Sequence, residues 1–309
     1  GVQGGSGWDS PPAKRRGVQG GTAGGTGRPA GRRPAASGRF DNRDSPPVKR
    51  KALGQHFLID RAVAERIVEA TGATAADLVC EIGAGRGALT GLLAARTGRV
   101  VALEIDPALH ARLRDQAVRW PNVEPRLADA RDFPYASLAP AGGLIVVGNL
   151  PYSASKPILL RLWEARGGLA RATLMVQREV AERLAAAPGG RDYGALSVLW
   201  QMWAEVSLLF VVPPTAFHPP PAVDSAVVQA VFRTAPAMPL ADPDAFVRVV
   251  KAAFARRRKT LANALAAGLP GLDRARLAAA GIDGRRRAET LSLAEFARLA
   301  EVFSGPRGA

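Results

Sequence analysis

Glu81-Ile82-Gly83-Ala84-Gly85-Arg86-Gly87 joins an apolar run of strand length, Leu78–Ile82, to a stretch of helical character, Ala88–Thr97. Glycines at alternate positions let a backbone approach a ligand closely, and the start of the next helix favours a negative group. At the end of the following apolar run, Val100–Glu104, stands Glu104, 21 residues after Gly83. A carboxylate at that strand end can accept hydrogen bonds from both hydroxyls of a ribose. Such a loop serves a nicotinamide dinucleotide as well as S-adenosyl-L-methionine. The Gly-x-Gly-x-Gly spacing, in place of the Gly-x-Gly-x-x-Gly that fits a pyrophosphate, tilts the reading to the second.

The neighbouring sequence alternates between the same two kinds of segment. Strands are expected at 78–82, 100–104, 123–127, 144–149, 172–177, 206–212 and 226–232, and helices at 88–97, 107–119 and 155–166. Upstream, Asp60 suits a helix N-cap, with Val63, Ile67, Val68 and Ala70 forming a stripe behind it. Alternating strand and helix with uninterrupted apolar strands implies an α/β fold, a Rossmann-like doubly wound sheet, parallel and covered on both faces. Beyond residue 234 no strand signal remains. Residues 246–267, 274–280 and 292–303 read as helices, the last opened by a capping box of Ser292 and Glu295. Three regions result: residues 1–47, a tail; 48–233, the catalytic α/β domain; and 234–309, a small all-helical domain that contacts the substrate.

The tail is expected to be disordered. Twelve glycines and six prolines fall in the first fifty positions, too few apolar side chains to offset the entropy of ordering. It repeats itself, with Asp9-Ser10-Pro11-Pro12-Ala13-Lys14-Arg15 recurring as Asp44-Ser45-Pro46-Pro47-Val48-Lys49-Arg50. The formal net charge is +15, and ten Lys or Arg against three Asp lie in those first fifty residues. The remaining positive charge favours a polyanionic partner. Cys80 is the only cysteine, which excludes an intramolecular disulfide and fits a reducing, cytoplasmic setting. With three scattered His (His56, His110, His218) no protein-built metal site is expected. No apolar run approaches membrane-spanning length.

Ligands in such sheets lie at the carboxyl ends of strands. Asp129, in Ala128-Asp129-Ala130, stands at one such end and could accept a hydrogen bond from the cofactor's adenine amine. Asn149-Leu150-Pro151-Tyr152 follows another. An adenine amine is a poor nucleophile because its lone pair is delocalised into the ring. Two acceptors on its N–H groups, the Asn149 side-chain oxygen and the Leu150 carbonyl, would favour a tetrahedral nitrogen aimed at a sulfonium methyl. Pro151 removes a competing N–H and stiffens the turn. Tyr152 offers a face on which an extruded base can stack. Positioning and electrostatics supply most of the help, and no strong general base is required.

With these motifs the chain resembles the small-subunit (16S) rRNA adenine N6-dimethyltransferase family, of the KsgA or RsmA type, from about Lys51 to Phe303. The resemblance includes Gly54-Gln55-His56-Phe57-Leu58, Leu103-Glu104-Ile105-Asp106, residues 176–184 (Val-Gln-Arg-Glu-Val-Ala-Glu-Arg-Leu) and Tyr193-Gly194-Ala195-Leu196-Ser197. It continues through the proline-rich stretch 213–221, Val223-Asp224-Ser225-Ala226-Val227, and residues 253–261 (Ala-Phe-Ala-Arg-Arg-Arg-Lys-Thr-Leu). It implies two successive methylations on each of two adjacent adenines near the 3′ end of 16S rRNA, in a pre-30S particle, with S-adenosyl-L-methionine as donor. It also implies that His56 and Leu58 approach the cofactor, that Gly83, with Gly85 in the same loop, lies beside its methionine part, that Glu104 takes the ribose and Asp129 the adenine, and that Asn149 sits between cofactor and target. Ala84 and Ala222 depart from the family's usual Pro and Lys, and the tail has no family counterpart. Phe217 is a candidate second wall against the target base, with a place in the core as the alternative.

Arg256 to Lys259 is expected within a helix, where Phe254, Leu261 and Leu265 share one face and Arg256 and Lys259 point away as phosphate contacts. Arg258 falls near the apolar face, and Arg285-Arg286-Arg287 could add to the basic surface. The alternatives are an Erm-type 23S rRNA methyltransferase and a non-catalytic ribosome assembly factor, with a nicotinamide dehydrogenase more remote. A monomer is the expected state.

Overall fold

A computed structural model describes residues 55–139, 143–256, 258–269 and 274–304; the expected tail, residues 1–47, lies outside them. A two-residue strand, β1 (Phe57–Leu58), precedes helix α1 (Arg61–Ala70), which Asp60 caps by accepting from the Val63 N–H at 3.1 Å. Then follow β2 (Leu78–Ile82), α2 (Thr90–Ala94), β3 (Arg99–Glu104), α3 (Pro107–Ala117), β4 (Val123–Leu127), β5 (Leu144–Asn149), α4 (Ser155–Glu164) and β6 (Leu169–Gln177). The chain continues through α5 (Arg178–Ala185), α6 (Ala195–Trp203), β7 (Ala204–Val212), β8 (Phe217–His218) and β9 (Ser225–Phe232). It ends with α7 (Pro243–Phe254), α8 (Leu261–Gly268), α9 (Arg274–Ala279) and α10 (Leu293–Ser304).

Seven strands form one sheet in the order β4-β3-β2-β5-β6-β9-β7. Those from β4 to β6 are parallel, and alternate residues of each bury opposite faces. Cys80 and Ile82 enter one apolar cluster while Val79 enters the other. The sheet is mixed, however, and the expectation of an all-parallel one needs correction: β9 runs antiparallel to β6, and β7 antiparallel to β9. The link between β7 and β9 holds only a 3-10 turn and β8, and it has no crossover helix of the kind a parallel return needs.

Helices α5 and α6 were not anticipated. All but three of the nine side chains of α6 are buried, so it is apolar on all sides and carries no amphipathic stripe. The expected helix 88–97 shortens to Thr90–Ala94 because the glycine loop occupies its first turn. The expected helix 246–267 is two helices. α7 ends at Phe254, and the first N–H groups of α8 go to distant carbonyls, Leu261 to Arg286 at 2.7 Å and Ala262 to Gly284 at 3.0 Å. Continuous helix would also have stacked Arg256 and Lys259 as like charges at i,i+3. At α10 the expected box forms, with the Glu295 N–H donating to Ser292 Oγ and the Ser292 N–H to Glu295 Oε2. The C-terminal helices share the larger core with the sheet. Trp203 on α6 meets Trp163 of α4 and Phe246 of α7 edge-on, at 5.4 and 5.6 Å between centroids.

Candidate active site

The chain passes from β2 to β3 and β4 on one side, then resumes at β5 on the other, so β2 and β5 flank a topological switch point. α/β sheets hold ligands in the crevice at the carboxyl ends of such strands. A cavity of about 300 Å³ opens there. Its wall includes His56, Leu58, Gly83, Gly85, Glu104, Asp129, Asn149, Leu150, Pro151, Tyr152 and Phe217, which the sequence scatters over 162 residues. Arg256 and Lys259 do not line it.

On one side the wall is backbone. Gly83 and Gly85 adopt φ of +69° and +57°, the left-handed region that strains any residue with a Cβ. Their loop is tied to β3, where the Leu103 carbonyl accepts from the N–H groups of Gly83 and Ala84 at 2.9 and 3.0 Å. The Glu104 carboxylate, nearly buried, accepts three backbone N–H groups: Gly85 at 2.8 Å on Oε2, and Ile105 and Asp106 at 2.9 Å on Oε1. An ionised carboxylate offers about four acceptor positions, so Oε2 retains capacity for a hydroxyl. Beneath the loop, burial pushes the Glu81 carboxyl up to about 7; the Thr90 hydroxyl, donating to it at 2.7 Å, opposes the shift and the Glu104 charge adds to it.

Asp129 lies on the wall but is engaged. Arg131 grips its carboxylate with Nε, a terminal nitrogen and its own backbone N–H, and that guanidinium holds the carboxyl below the usual range. Asp129 and Arg131 both line the cavity, so a base amine bound to Asp129 would share its carboxylate with this guanidinium.

The opposite wall is side chain. Asn149 Nδ2 donates to the His56 carbonyl at 3.0 Å. Because a carbonyl can only accept, this contact fixes which end of the amide is nitrogen and turns Oδ1 away as a free acceptor. Leu150 donates its N–H to the Met175 carbonyl at 3.0 Å, and among the described residues no N–H donates to the Leu150 carbonyl. The segment carrying His56 is strapped across by the antiparallel pair β1–β8 and by His56 Nδ1, which donates to the Pro219 carbonyl at 2.8 Å. Tyr152 stands half-buried, its ring 5.6 Å from that of His56 and its hydroxyl 2.7 Å from Ser225 Oγ. Phe217 is 3% exposed and pairs with Leu58 in the smaller core cluster while its edge reaches the cavity.

Glu81, Arg131 and Ser225 were not singled out as site residues from sequence. Glu81 and Ser225 stood inside quoted motifs, but nothing local marks a serine as the partner of a tyrosine 73 residues earlier. The basic run also needs correction. Arg256 and Lys259 are exposed, yet they lie in the turn between α7 and α8, and Arg258 is exposed rather than set against the apolar face. Arg286 is no free surface cation, because it clamps Glu295 and the Thr290 carbonyl and holds the Glu295 carboxyl at about 2. Among the described residues no group of three or more His, Cys, Asp or Glu is arranged to hold a metal. No described helix is long and apolar enough to cross a membrane.

The family model for "Ribosomal RNA adenine dimethylase" matches residues 48–304. The Ribosomal RNA small subunit methyltransferase A of Pelotomaculum thermopropionicum is 48% identical over 268 residues, covering 82% of this chain and 91% of that protein. Its namesake in Geobacter sulfurreducens is 46% identical over 257 residues, covering 81% and 93%. Among solved structures, a dimethyladenosine transferase from Plasmodium falciparum shares the fold with a TM-score of 0.67 at 24% identity, covering 79% of this chain and 96% of its own. The 23S rRNA methyltransferase ErmE superposes with a TM-score of 0.64 at 28% identity, covering 80% and 99%.

Proposed function

The chain belongs to the ribosomal RNA adenine dimethylase family, and from that membership we propose that it methylates N6 of two adjacent adenosines in the 3′-terminal hairpin of 16S rRNA. It is an S-adenosyl-L-methionine-dependent methyltransferase that dimethylates adenine in small-subunit ribosomal RNA. Relatives named for the small subunit, 48%, 43% and 46% identical over more than four-fifths of the chain, favour the small-subunit target. A pre-30S particle in the cytoplasm, met by a monomeric enzyme, is the corresponding setting.

The residues present suit the cofactor. Left-handed glycines beside β3, a carboxylate preset by three backbone donors, and apolar Leu58, Leu103 and Ile105 make a cradle for a nucleoside bearing a short amino-acid chain. S-adenosyl-L-methionine supplies an electrophilic methyl carbon. Glu104 would take its ribose hydroxyls, Asp129 its adenine amine, and the Gly83–Gly85 loop its methionine part, with His56 and Leu58 closing from the strap.

The observation that carries the reading is the fixed Asn149 amide. With Nδ2 held by His56, Oδ1 and the neighbouring Leu150 carbonyl form a pair of acceptors for the two N–H groups of an adenine amine. Holding both N–H groups withdraws the nitrogen lone pair from the ring and points it along one direction. Asn149 takes up no proton, and the one released passes to water. Tyr152 stacks on the extruded base, and Phe217 edges the same cavity. Arg256 and Lys259 contact phosphates, which positions the RNA without specifying its sequence.

The test offers methyl-labelled cofactor to unmethylated 30S particles, 50S particles and bulk DNA. Label in N6-dimethyladenine of 16S rRNA is expected. Label confined to 23S rRNA would transfer the protein to the Erm type, and none at all would leave a binding role in ribosome assembly.

A further inference from the structure

Ser225 is the first residue of β9 and is fully buried. It is pinned from both sides, in register with Gln177 of β6 and Val212 of β7. The residue before it is fastened as well: the Asp224 carbonyl accepts the Arg178 N–H at 3.0 Å, and its carboxylate lies 3.6 Å from the Arg178 guanidinium. The Ser225 side chain is therefore presented from a rigid platform. A buried hydroxyl without a partner is costly, and the partner here is the Tyr152 hydroxyl at 2.7 Å.

Tyr152 itself hangs from the turn after β5, half-buried, with the His56 ring on one side. The hydroxyl oxygen of a tyrosine lies on the axis of its second torsion, so fixing it defines the first torsion and the place of the ring, while the His56 ring, 5.6 Å away and tilted by 38°, limits rotation about that axis. The bond to Ser225 therefore sets where the ring that faces the cavity stands before any base arrives.

We propose that Ser225 is a positioning residue that pre-orients Tyr152 for stacking of the target base, and so acts on the RNA-dependent step without touching cofactor or substrate. This rests on the assignment of Tyr152 as the stacking platform. It gives a role to Asp224-Ser225-Ala226, a segment that neither cofactor capture nor amine activation uses.

The test is a double-mutant cycle on the full chain with Tyr152→Phe, Ser225→Ala and the pair. It reads kcat/KM for unmethylated 30S particles and, separately, the affinity for S-adenosylhomocysteine by calorimetry. Tyr152→Phe removes the same bond from the cavity side and alters no residue of β9, so that single variant reports the loss independently of how well Ser225→Ala packs. Each single change is expected to lower kcat/KM about tenfold, and the pair no further than either alone. Affinity for S-adenosylhomocysteine should stay within about twofold, and Ser225→Thr, which keeps a hydroxyl, should recover most of the activity. RNA carrying 2-aminopurine at the target should show weaker quenching by the Ser225→Ala protein. Losses that multiply in the pair, unchanged turnover in Ser225→Ala, or a parallel fall in cofactor affinity would overturn the proposal. Wild-type turnover in Tyr152→Ala would instead sink the stacking role of Tyr152, and the inference with it.

Discussion

Along β2 and β3 the cavity wall is made of backbone tied to backbone or to a carboxylate 19 residues away, while along β5 it is made of side chains fastened across 73, 93 and 163 residues. The first wall folds as one βαβ unit. The second exists only once the strap, the β8 loop and β9 have all closed on β5, each at the entropic cost of a long loop. Binding a cofactor and activating an amine are thus assigned to parts of different robustness, and the two should separate under mutation.

The sharpest separation is expected at Asn149. Asn149→Ala removes one of the two acceptors and should lower kcat by roughly a thousandfold, the scale seen when a preorganised polar group aimed at a reacting centre is deleted. Affinity for S-adenosylhomocysteine should hardly change, because Asn149 answers to the strap and not to the glycine loop. A comparable loss of cofactor affinity in calorimetry would mean that the two walls are one unit.

The backbone wall has its own signature in pH. Between the ordinary Glu value of 4.5 and about 7, folded protein keeps a proton on Glu81 that the unfolded chain has released. Stability from this group is full at acid pH and is lost as pH rises through 7. Glu81→Gln stays neutral and keeps an acceptor for the Thr90 hydroxyl. It should gain roughly 2 to 3 kcal/mol on wild type between pH 5 and pH 8, measured by denaturant unfolding of ligand-free protein. Parallel pH profiles would show that Glu81 titrates normally. Glu104→Gln probes the same wall from above. An amide cannot accept on both ends, so at least one of three backbone donors loses its partner and the ribose loses a charge-assisted bond. Cofactor affinity should fall by about 2 kcal/mol, or about thirtyfold, with Asn149 chemistry intact once the cofactor is saturating.

The same contrast explains what could be read from the sequence. Asp60, the glycine loop, Glu104 and the Ser292–Glu295 box are local devices, with partners at most about 20 residues away, and pattern alone places them. Asn149 to Tyr152 were legible as chemistry, but not what holds them: the His56 carbonyl and the Ser225 hydroxyl leave no periodic trace. The reversed direction of β9 leaves no mark because apolar runs look alike in either sense, although the absence of a helix between β7 and β9 was the available sign. Helix α6, buried nearly all round, had no stripe to read. The separate start of α8 after the break at residues 255–260 goes with the carbonyls of Gly284 and Arg286, which accept from Ala262 and Leu261 and which no window on the basic run contains.

That break gives the smallest effect and the finest comparison, between two neighbouring groups of arginines and lysine. Lys259 is exposed on the turn and is assigned to phosphate, whereas Arg286, whose carbonyl accepts from Leu261 at the start of α8, is spent on Glu295 and Thr290. Lys259→Ala should weaken RNA binding modestly and lower the slope of log affinity against log salt by about 0.7 to 1, one phosphate's worth of released counterion, with no change in unfolding. Arg286→Ala should do the reverse. It frees a Glu295 carboxylate that the guanidinium now holds at about 2, so the slope should be unchanged while the unfolding midpoint drops. The stability that pair contributes is present above the ordinary Glu value and fades as pH falls toward 2, so the deficit of Arg286→Ala should shrink in acid. Equal salt slopes for wild type and Lys259→Ala would remove the turn from the RNA surface and leave the basic charge as solvation.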